Sequence, residues 1–391
     1  MKTLIELYDE RPIENVLATE VFQPEKTVFL CPAAVAGSSR AKDTIRRYFR
    51  HRGLSAEPVF LETNLYSSAA SAKQLRAVIA KYPDCVADVT GGTDASLFAC
   101  GTVCAESGIP AFTYSRRMNR FYPIHNDPFP EPLPCTVEHT VEDCFLMAGG
   151  ALRKGRVDNR LLSRYSDCFD PFFRLYLRHR TEWKSTVSYI QQASQTDKNQ
   201  PIPLTVDAPY TVKGERGSRI SAPEAVLRDL ASIGFLSGLE ISRERVCFRF
   251  HDLQIRAWLR DVGSVLELYV YQICTDSGLF CDVRSSAVVD WEGSFRQDNV
   301  TNEIDVMAMR GVLPVFISCK TCDVTTEALN ELAILRDRFG GQGAVAVIVT
   351  TQHCRGITRH RASELGIEVT DLDDLKSGLL PSQLRTLLQP D

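Results

Sequence analysis

The sequence lacks the features that define several common protein classes. No apolar run approaches the length of a membrane span, and the amino terminus has no basic segment followed by an apolar stretch. Neither GxGxxG, the dinucleotide-binding fingerprint, nor GxxxxGK[ST], the Walker loop, occurs in the chain. There is no internal repeat and no low-complexity segment. These absences predict a cytoplasmic protein with no membrane partner, and they argue against an enzyme that uses either nucleotide motif.

Cysteine spacing and net charge narrow the possible functions further. The 13 cysteines are scattered without the paired spacing of a zinc site. The lone Cys319-x-x-Cys322 favours packing at a helix entry over zinc or redox chemistry. Because the net charge is −4, any nucleic-acid surface must be local. The 391 residues, 44% hydrophobic and 24% charged, predict two or three globular domains.

Strand and helix patterns alternate from the start of the chain to about residue 125. The predicted strands are Thr3–Leu7, Thr27–Cys31, Pro58–Leu61, Cys85–Val89 and Pro110–Tyr114. This alternation predicts a parallel, Rossmann-like sheet. In such sheets ligands bind beyond the carboxyl ends of the strands.

Polar loops follow two of these strands. Their members are Thr90, Gly91, Gly92, Thr93 and Asp94 in one loop, and Asp9, Glu10, Arg11 and Pro12 in the other. The glycines permit close approach of backbone to a ligand, and the threonines and helix-start N–H groups can bond phosphate or ribose. Pro12 suits the first turn of a helix. Taken alone, the glycine loop is more often a tight structural turn with a helix cap.

A hairpin is predicted in the carboxyl-terminal part. Two β-type runs, Ile304–Met309 and Val315–Cys319, flank a turn that contains Gly311 and Pro314. A turn centred on Gly311 and Val312 predicts the register of the two strands. It also decides which side chains share a face.

With this register, four polar side chains lie on one face of the hairpin. Asp305 lies opposite Ser318, and Glu303 lies opposite Lys320. Charged groups on an otherwise apolar strand pair need partners, and Mg²⁺ or Mn²⁺ would supply one for Asp305. Lys320 could then hold the attacking water or the phosphate that accumulates charge. An isolated pattern of this kind is more often an amphipathic hairpin with a solvated polar face.

The hairpin resembles the PD-(D/E)xK nuclease core, which carries an acid on one strand and acid-x-Lys on the next. Here Ser318 replaces the second acid, so Glu303, Glu267 or the carbonyl of Cys319 would have to supply oxygen to the metal. Such enzymes often carry a metal-binding glutamate on the helix before the hairpin. Glu267 lies in the predicted helix Ile255–Cys274.

The elements after the hairpin fit the same core. A helix is predicted at Thr325–Phe339, a buried strand at Ala344–Thr351, then a short helix and a strand at Ile367–Thr370. The resulting order is α-β-β-β-α-β. This order is that of the PD-(D/E)xK nuclease core.

The middle of the chain is predicted to be a connector. A Pro-rich segment occupies Asn126–Pro134, and about 140 to 192 is mainly helical. A helix at Pro223–Ile233 followed by a hairpin at Leu239–Phe250 resembles part of a winged helix. The basic residues before it, Lys213, Arg216 and Arg219, form either a solvated face or a guide for a nucleic-acid backbone.

Taken together, the opening segment Leu4–Phe29, the TGGTD loop and the NEID…ISCK hairpin resemble the CARF-nuclease effectors of type III CRISPR defence. The resemblance covers essentially the whole chain. It implies an α/β protein with a Rossmann-like CARF domain at 1–135, a mainly helical connector with the winged-helix-like piece at 136–250, and a PD-(D/E)xK restriction-endonuclease-like domain at 251–391.

The resemblance also implies a function. The CARF domain would bind a cyclic oligoadenylate, most often cyclic tetra-adenylate, at the two-fold axis of a homodimer and switch on cleavage of DNA or RNA. The ligand loop would be Thr90–Asp94, with Asp9–Pro12 and the Ser38-Ser39-Arg40 loop after the second strand, and the strand end Tyr114–Arg117 would form a wall. For the last two groups, a solvated loop is an equal alternative to ligand contact. The metal ligands would be Asp305, Glu267 and Cys319.

A second interpretation stays open: a ligand-sensing nucleic-acid-binding regulator whose nuclease fold has degenerated, which Ser318 would favour. The presence of Glu267, Asp305 and Lys320 favours the enzyme. A metabolic enzyme that uses a nucleotide is a third possibility, but it lacks a cofactor fingerprint.

Overall fold

The computed structural model describes residues 2–116, 118–153, 158–195, 202–214, 217–294, 296, 298–341 and 343–389. The amino-terminal part contains a seven-stranded sheet in the order β3-β2-β1-β4-β5-β6-β7. Its strands are β1 (Thr3–Leu7), β2 (Lys26–Cys31), β3 (Glu57–Glu62), β4 (Cys85–Asp88), β5 (Ala111–Ser115), β6 (Arg120–His125) and β7 (Leu133–Pro134). Strands β1 to β5 are parallel, which confirms the prediction, and β6 and β7 add an antiparallel edge.

Helices cover both faces of this sheet, so its central strands are buried on both sides. They are α1 (Leu17–Phe22), α2 (Ala33–Ala36), α3 (Ser39–His51), α4 (Ser68–Lys81) and α5 (Asp94–Ser107), and a 3₁₀ turn spans Pro12–Asn15. Side-chain caps start the longer helices: Ser38 accepts from the N–H of Ala41, and Thr93 accepts from that of Ser96. Two of the predicted ligand residues therefore act as helix caps.

The middle segment combines helices with short strands. Its helices are α6 (Val141–Met147), α7 (Asn159–Leu162), α8 (Ser166–Arg178), α9 (Trp183–Ala193) and α10 (Glu224–Ser232), with a 3₁₀ turn at Ser163–Tyr165. Its strands are β8 (Ala151–Arg153), β9 (Thr205–Pro209), β10 (Thr211–Lys213), β11 (Arg219–Ser221), β12 (Leu236–Ile241) and β13 (Arg245–Phe250). The predicted order of a helix followed by a hairpin is confirmed by α10, β12 and β13. Arg216 lies outside the described residues.

The carboxyl-terminal part contains a six-stranded sheet in the order β18-β17-β16-β15-β14-β8. Its strands are β14 (Asp282–Asp290), β15 (Thr301–Arg310), β16 (Leu313–Lys320), β17 (Val345–Thr350) and β18 (Ile367–Thr370), joined by β8 from the middle segment. The helices are α11 (Leu253–Trp258), α12 (Ser264–Asp276), α13 (Thr326–Leu335), α14 (Gly356–Glu364), α15 (Leu372–Lys376) and α16 (Leu380–Leu387), and a π-helical turn spans Arg336–Gly340. The predicted order α-β-β-β-α-β is present from α12 to β17.

The single helix predicted at Ile255–Cys274 was wrong, because the chain forms two helices there. The carboxylate of Asp261 accepts hydrogen bonds from the backbone N–H and the hydroxyl of Ser264, at 2.9 and 2.8 Å. These hydrogen bonds hold the turn that separates α11 from α12, although the apolar pattern continues through it. Among the helices of the described ranges, none is long and apolar enough to cross a membrane.

Buried polar contacts join the two large sheets through α6 and the residues before it. Tyr48 on α3 donates to Glu20 at 2.6 Å and lies 2.9 Å from Nε2 of His139, while Arg52 donates to Asp143 on α6 at 3.2 Å. Helix α6 also packs Phe145 into the core of the carboxyl-terminal sheet. Helix α6 therefore contacts both α3 and the carboxyl-terminal sheet.

Candidate functional site

The hairpin has the predicted register. Its last paired residues are Val306 and Ile317, which places Asp305 opposite Ser318 at the point where the ladder ends. Strand β16 continues past this point by pairing with β17 as far as Lys320. The two strands of the hairpin therefore separate at Asp305.

Three groups on β16 converge on one oxygen of Asp305. Its Oδ2 accepts from the backbone N–H of Cys319 at 2.6 Å and from the hydroxyl of Ser318 at 3.1 Å, and Nζ of Lys320 lies 3.7 Å away. The carboxylate thus takes the place that a backbone carbonyl of β15 would have in a regular ladder. Sequence reasoning brought Asp305, Ser318 and Lys320 together correctly.

The sheet is also irregular on the other side of Asp305. The ladder between β14 and β15 passes from Ser285–Val306 directly to Ala287–Ile304, and Ser286 has φ +52°. Ile304 packs in one core of the sheet, whereas Val306 packs in the other, although alternate residues of a regular strand share a face. Irregularities of this kind re-aim side chains beside active sites. Asp305 therefore projects from an interruption in a central strand.

Glu267 on α12 is the second acid of the site. Burial raises its pKa to about 8, and the nearby charges of Asp305, Asp261 and Glu303 act in the same direction, while Lys320 opposes them. A Cβ atom on Gly263 would stand 2.7 Å from Oε1 of Glu267, so the glycine leaves the space that this carboxylate occupies. Glu303 itself is exposed and lies close enough to raise the pKa of both Glu267 and Asp305.

The electrostatics of the pair fit a divalent cation. Burial raises the pKa of Asp305, and this outweighs the opposing effects of Lys320, Cys319 and Ser318. Because the N–H and C=O of one strand residue point to the same neighbour, the carbonyl of Cys319 faces β15, as its N–H does. Carboxylate and carbonyl oxygens are the ligands that Mg²⁺ prefers. In the described part of the chain no group of three or more His, Cys, Asp or Glu side chains is placed to hold a metal, so backbone oxygen would be needed.

The predicted ligand loops of the first sheet are held together internally. Oδ2 of Asp9 accepts from the N–H of Gly92 at 2.9 Å and from Arg11 at 2.8 Å, which ties the loop after β1 to the loop after β4. Thr90 donates to Asp88, its hydroxyl accepts from the N–H of Tyr114 at 2.7 Å, and Thr93 donates to the carbonyl of Leu65. These hydroxyls have protein partners.

The two glycines face the end of β1 rather than open space. A Cβ on Gly91 would lie 2.9 Å from Cβ of Asp9, and one on Gly92 would lie 2.9 Å from Cβ of Leu7. Gly92 also has φ +107°, a conformation that favours glycine. The structural reason for the glycines is therefore close packing between two loops. Asp94 begins α5 and is exposed.

Three predicted ligand residues line a pocket of about 380 Å³ at the carboxyl ends of β1 and β2. They are Glu10, Pro12 and Ser38, whereas Thr90 to Asp94 and the exposed Ser39 are not among its lining residues. Arg117 lies outside the described residues, and its neighbour Arg116 pairs with Glu14 at 3.3 Å.

Sequence reasoning missed two buried acids beneath these loops. Glu6 on β1 pairs with Asp88 on β4, and burial raises the pKa of both, that of Asp88 to about 7. Neither side-chain oxygen of Glu6 has a hydrogen-bond partner in the described structure. An acid in the otherwise apolar strand TLIEL was the available signal.

The carboxyl-terminal part matches a known family. Residues 257–385 match the family model of the Card1-like endonuclease domain, a range that contains Glu267, Asp305 and Lys320. The resemblance to CARF-nuclease effectors is confirmed. No curated protein matches the sequence.

Two solved structures share the fold of this CARF-nuclease-like chain over nearly its whole length. Protein VC1899 from Vibrio cholerae has a TM-score of 0.75 at 18% identity, with 100% of this chain and 99% of that chain covered. Can2 from Sulfobacillus thermosulfidooxidans, in complex with cyclic tetra-adenylate, has a TM-score of 0.69 at 16% identity, with 99% and 98% covered.

Proposed function

We propose that the protein is a metal-dependent endonuclease, activated by a cyclic oligoadenylate, that cuts DNA or RNA in type III CRISPR defence in the cytoplasm. The observation that carries this proposal is the convergence of Glu267, Asp305 and Lys320 within the range that matches the endonuclease family. Two half-buried carboxylates with raised pKa values beside a lysine are typical of a reactive centre. A solvated polar face would leave these pKa values unperturbed.

Glu267, Asp305 and the carbonyl of Cys319 would hold Mn²⁺ or Mg²⁺. When bound, the cation supplies Lewis-acid chemistry: it lowers the pKa of a water ligand and neutralises charge on the phosphate. The N–H of Cys319 and the hydroxyl of Ser318 hold the Asp305 carboxylate in one orientation. Ser318 therefore orients the carboxylate of Asp305, although it stands where the PD-(D/E)xK pattern has a second acid.

Lys320 supplies the positive charge of the site. Its ammonium lies 3.7 Å from Asp305, at the end of the hairpin where the two strands separate. The side chain is 32% exposed to solvent. From there it can contact the scissile phosphate and stabilise the negative charge that develops as the phosphodiester breaks. A preorganised charge of this kind lowers the activation free energy by on the order of 3 kcal/mol, which raises the rate roughly 100-fold.

The activator would bind the amino-terminal domain of a homodimer. Can2, which shares the fold, was solved with cyclic tetra-adenylate, and the same ligand is the first choice for this chain. A two-fold symmetric ring matches a two-fold dimer, so each protomer would contact half of it. The loops of Asp9 to Pro12, Ser38 and Ser39, and Thr90 to Asp94 lie at the carboxyl ends of parallel strands, where ligands of such sheets bind.

A second candidate function is a ligand-sensing nucleic-acid-binding regulator without cleavage activity. Ser318, at the place of the second acid, favours it because one carboxylate fewer weakens a metal site. The basic residues before the hairpin of β12 and β13 would then contact a nucleic-acid backbone.

The test is a cleavage assay on three labelled substrates: single-stranded RNA, single-stranded DNA and supercoiled plasmid. Each is incubated with Mn²⁺ or Mg²⁺, with and without cyclic tetra-adenylate, and with a chelator as control. We expect at least one substrate to be cut only when cation and activator are both present. Binding of nucleic acid without any cleavage would instead support the regulator.

A further inference from the structure

The pocket at the carboxyl ends of β1 and β2 is shared by two domains. Tyr8, Glu10 and Pro12 line it from the loop after β1, and Ser38 and Arg40 line it from the start of α3. The opposite wall is formed by residues 147–149 at the end of α6 and by Arg338 of the carboxyl-terminal part. Its volume of about 380 Å³ is sufficient for a nucleotide-sized group.

Two arginines face this pocket, one from each domain. Across the described residues, neither the guanidinium of Arg40 nor that of Arg338 has an ion-pair or hydrogen-bond partner, although that of Arg338 lies over the ring of Phe339, 5.1 Å from its centroid. Burial lowers the pKa of Arg338, and the like charge of Arg40 lowers it further. The only lining carboxylate is that of Glu10, which is exposed. Two arginines and one exposed carboxylate leave a net positive charge in the pocket, which a bound anion would stabilise.

The position of Arg338 is fixed by its surroundings. It lies in the π-helical turn Arg336–Gly340, a type of distortion that is frequent at functional sites. The next residue, Phe339, is buried against Phe145 and Trp291, with ring centroids 5.3 and 5.5 Å apart. The turn is thereby anchored, and the arginine side chain projects towards the pocket.

Hydrogen bonds from α3 also connect the amino-terminal wall of the pocket to the carboxyl-terminal part. Arg47, on the same helix as Arg40, donates to the carbonyls of Gly293 and Gly150 at 3.4 and 3.3 Å. Helix α3 therefore contacts the segments that precede β8 and follow β14.

We propose that this pocket binds a phosphate group of a nucleotide between Arg40 and Arg338. Guanidinium groups bind phosphate in a planar, bidentate geometry, and the ring of Tyr8 offers a surface for a base. Because the arginines belong to different domains, a phosphate that contacts both favours the arrangement in which the domains stand this close. The proposal rests on the proposed function, in which the nucleotide is the activator, and it then assigns Arg338 as the contact between ligand and nuclease domain.

The experiment measures binding by calorimetry to cyclic tetra-adenylate, ATP and inorganic phosphate. The variants are Arg40→Ala, Arg338→Ala and Arg338→Lys, with Arg50→Ala as the matched control, because Arg50 is exposed on α3 and does not line the pocket. We expect both alanine variants to bind at least one nucleotide about tenfold more weakly than the wild type, Arg338→Lys to be intermediate, and Arg50→Ala to be unchanged. Melting temperatures without ligand establish that each variant is folded.

The outcomes separate this inference from the proposed function. If wild-type cleavage needs cyclic tetra-adenylate but Arg40→Ala and Arg338→Ala bind every ligand as tightly as the wild type, the inference is overturned and the proposed function stands. If the alanine variants lose binding of ATP or phosphate while the wild type never cleaves, the site is real and the proposed function fails. Loss of cyclic tetra-adenylate binding alone assigns the pocket to the activator.

Discussion

Two aspartates, one in each of the large domains, show how the same side chain serves different purposes. Asp9 receives hydrogen bonds from Arg11 and from the N–H of Gly92, and these lower its pKa although burial opposes them. At Asp305 burial dominates and raises the pKa, although Lys320, Cys319 and Ser318 oppose it.

The opposite pKa shifts of Asp9 and Asp305 distinguish a carboxylate that stabilises the fold from one that is held at a cost in stability. A carboxylate that is fully compensated by donors stabilises the loops that it connects. A carboxylate with too few hydrogen-bond donors beside a second acid destabilises the folded protein. Such an arrangement is typical of sites where a bound ligand or cation neutralises the charge. On this basis Asp9 holds together two of the loops in which we propose that the activator binds, whereas Asp305 belongs to the proposed chemical site.

The largest expected effect comes from exchanging each aspartate for asparagine. Asp305→Asn removes a charge needed for cation binding, so cleavage should fall by roughly 100-fold or more, while the melting temperature stays equal or rises because a buried charge is lost. Asp9→Asn removes charged hydrogen bonds and should lower stability by about 1–3 kcal/mol. Thermal melts and single-turnover cleavage would check both. Wild-type cleavage by Asp305→Asn would contradict the assignment.

The buried acid beneath the loops predicts a pH-dependent stability. The pKa of Asp88 is raised in the folded state from 3.8 to about 7, so folded protein binds more protons than unfolded protein in this window, and stability falls as pH rises from about 4 to about 7. The upper limit of the loss is roughly 4 kcal/mol. Asp88→Asn keeps the acceptor for Thr90 and should reduce the dependence, as measured by melting temperature against pH, while the raised pKa of Glu6 leaves a remaining slope of the same sign. An unchanged slope in this variant would assign the pH dependence to other groups.

A smaller effect is expected at the glycine loop. Gly91→Ala brings a Cβ to 2.9 Å from Asp9 and should destabilise the protein by about 1–3 kcal/mol. Gly101→Ala is the matched control, because a Cβ there meets nothing within 4 Å and alanine favours the α5 helix by roughly 0.5–1 kcal/mol. Denaturant unfolding of both variants measures the contrast. Equal stabilities would mean that the loops can separate without cost.

The smallest expected change concerns Ser318. Ser318→Glu adds a carboxylate beside Asp305, so a few-fold lower concentration of Mn²⁺ or Mg²⁺ should give half-maximal cleavage. The matched comparison is Ser318→Ala, which removes the hydrogen bond to Asp305 without adding charge. A metal titration that gives the same midpoint for both variants would show that position 318 does not face the cation.

Much of this arrangement could be predicted because it depends on local pattern. Strands β1 to β5 follow apolar runs between turn residues, and the turn at Gly311 determines the pairing of Asp305 with Ser318. The interruption at Ser286 could not be predicted, since it depends on contacts from distant segments: Asn159 bonds both backbone groups of Ser285, at 2.7 and 3.1 Å.

Three other features could not be predicted from the sequence for related physical reasons. A turn at Asp261, whose carboxylate accepts a hydrogen bond from Ser264, divides a stretch whose apolar period continues through it. Strand β8 joins a sheet whose other strands lie more than a hundred residues later, which no local pattern indicates. The close approach of Gly91 to Asp9 shows that a glycine loop can serve another loop instead of a ligand, and sequence alone cannot distinguish these cases.

The most direct measurement compares Lys320→Ala with the wild type in two titrations by cyclic tetra-adenylate, one of binding and one of cleavage, and uses Lys376→Ala, an exposed lysine at the end of α15, as control. We expect Lys320→Ala to bind the activator as the wild type does but to cleave roughly 100-fold more slowly, because only the nuclease site is changed. Cleavage by Lys320→Ala at the wild-type rate, or cleavage by the wild type that is independent of the activator, would contradict it.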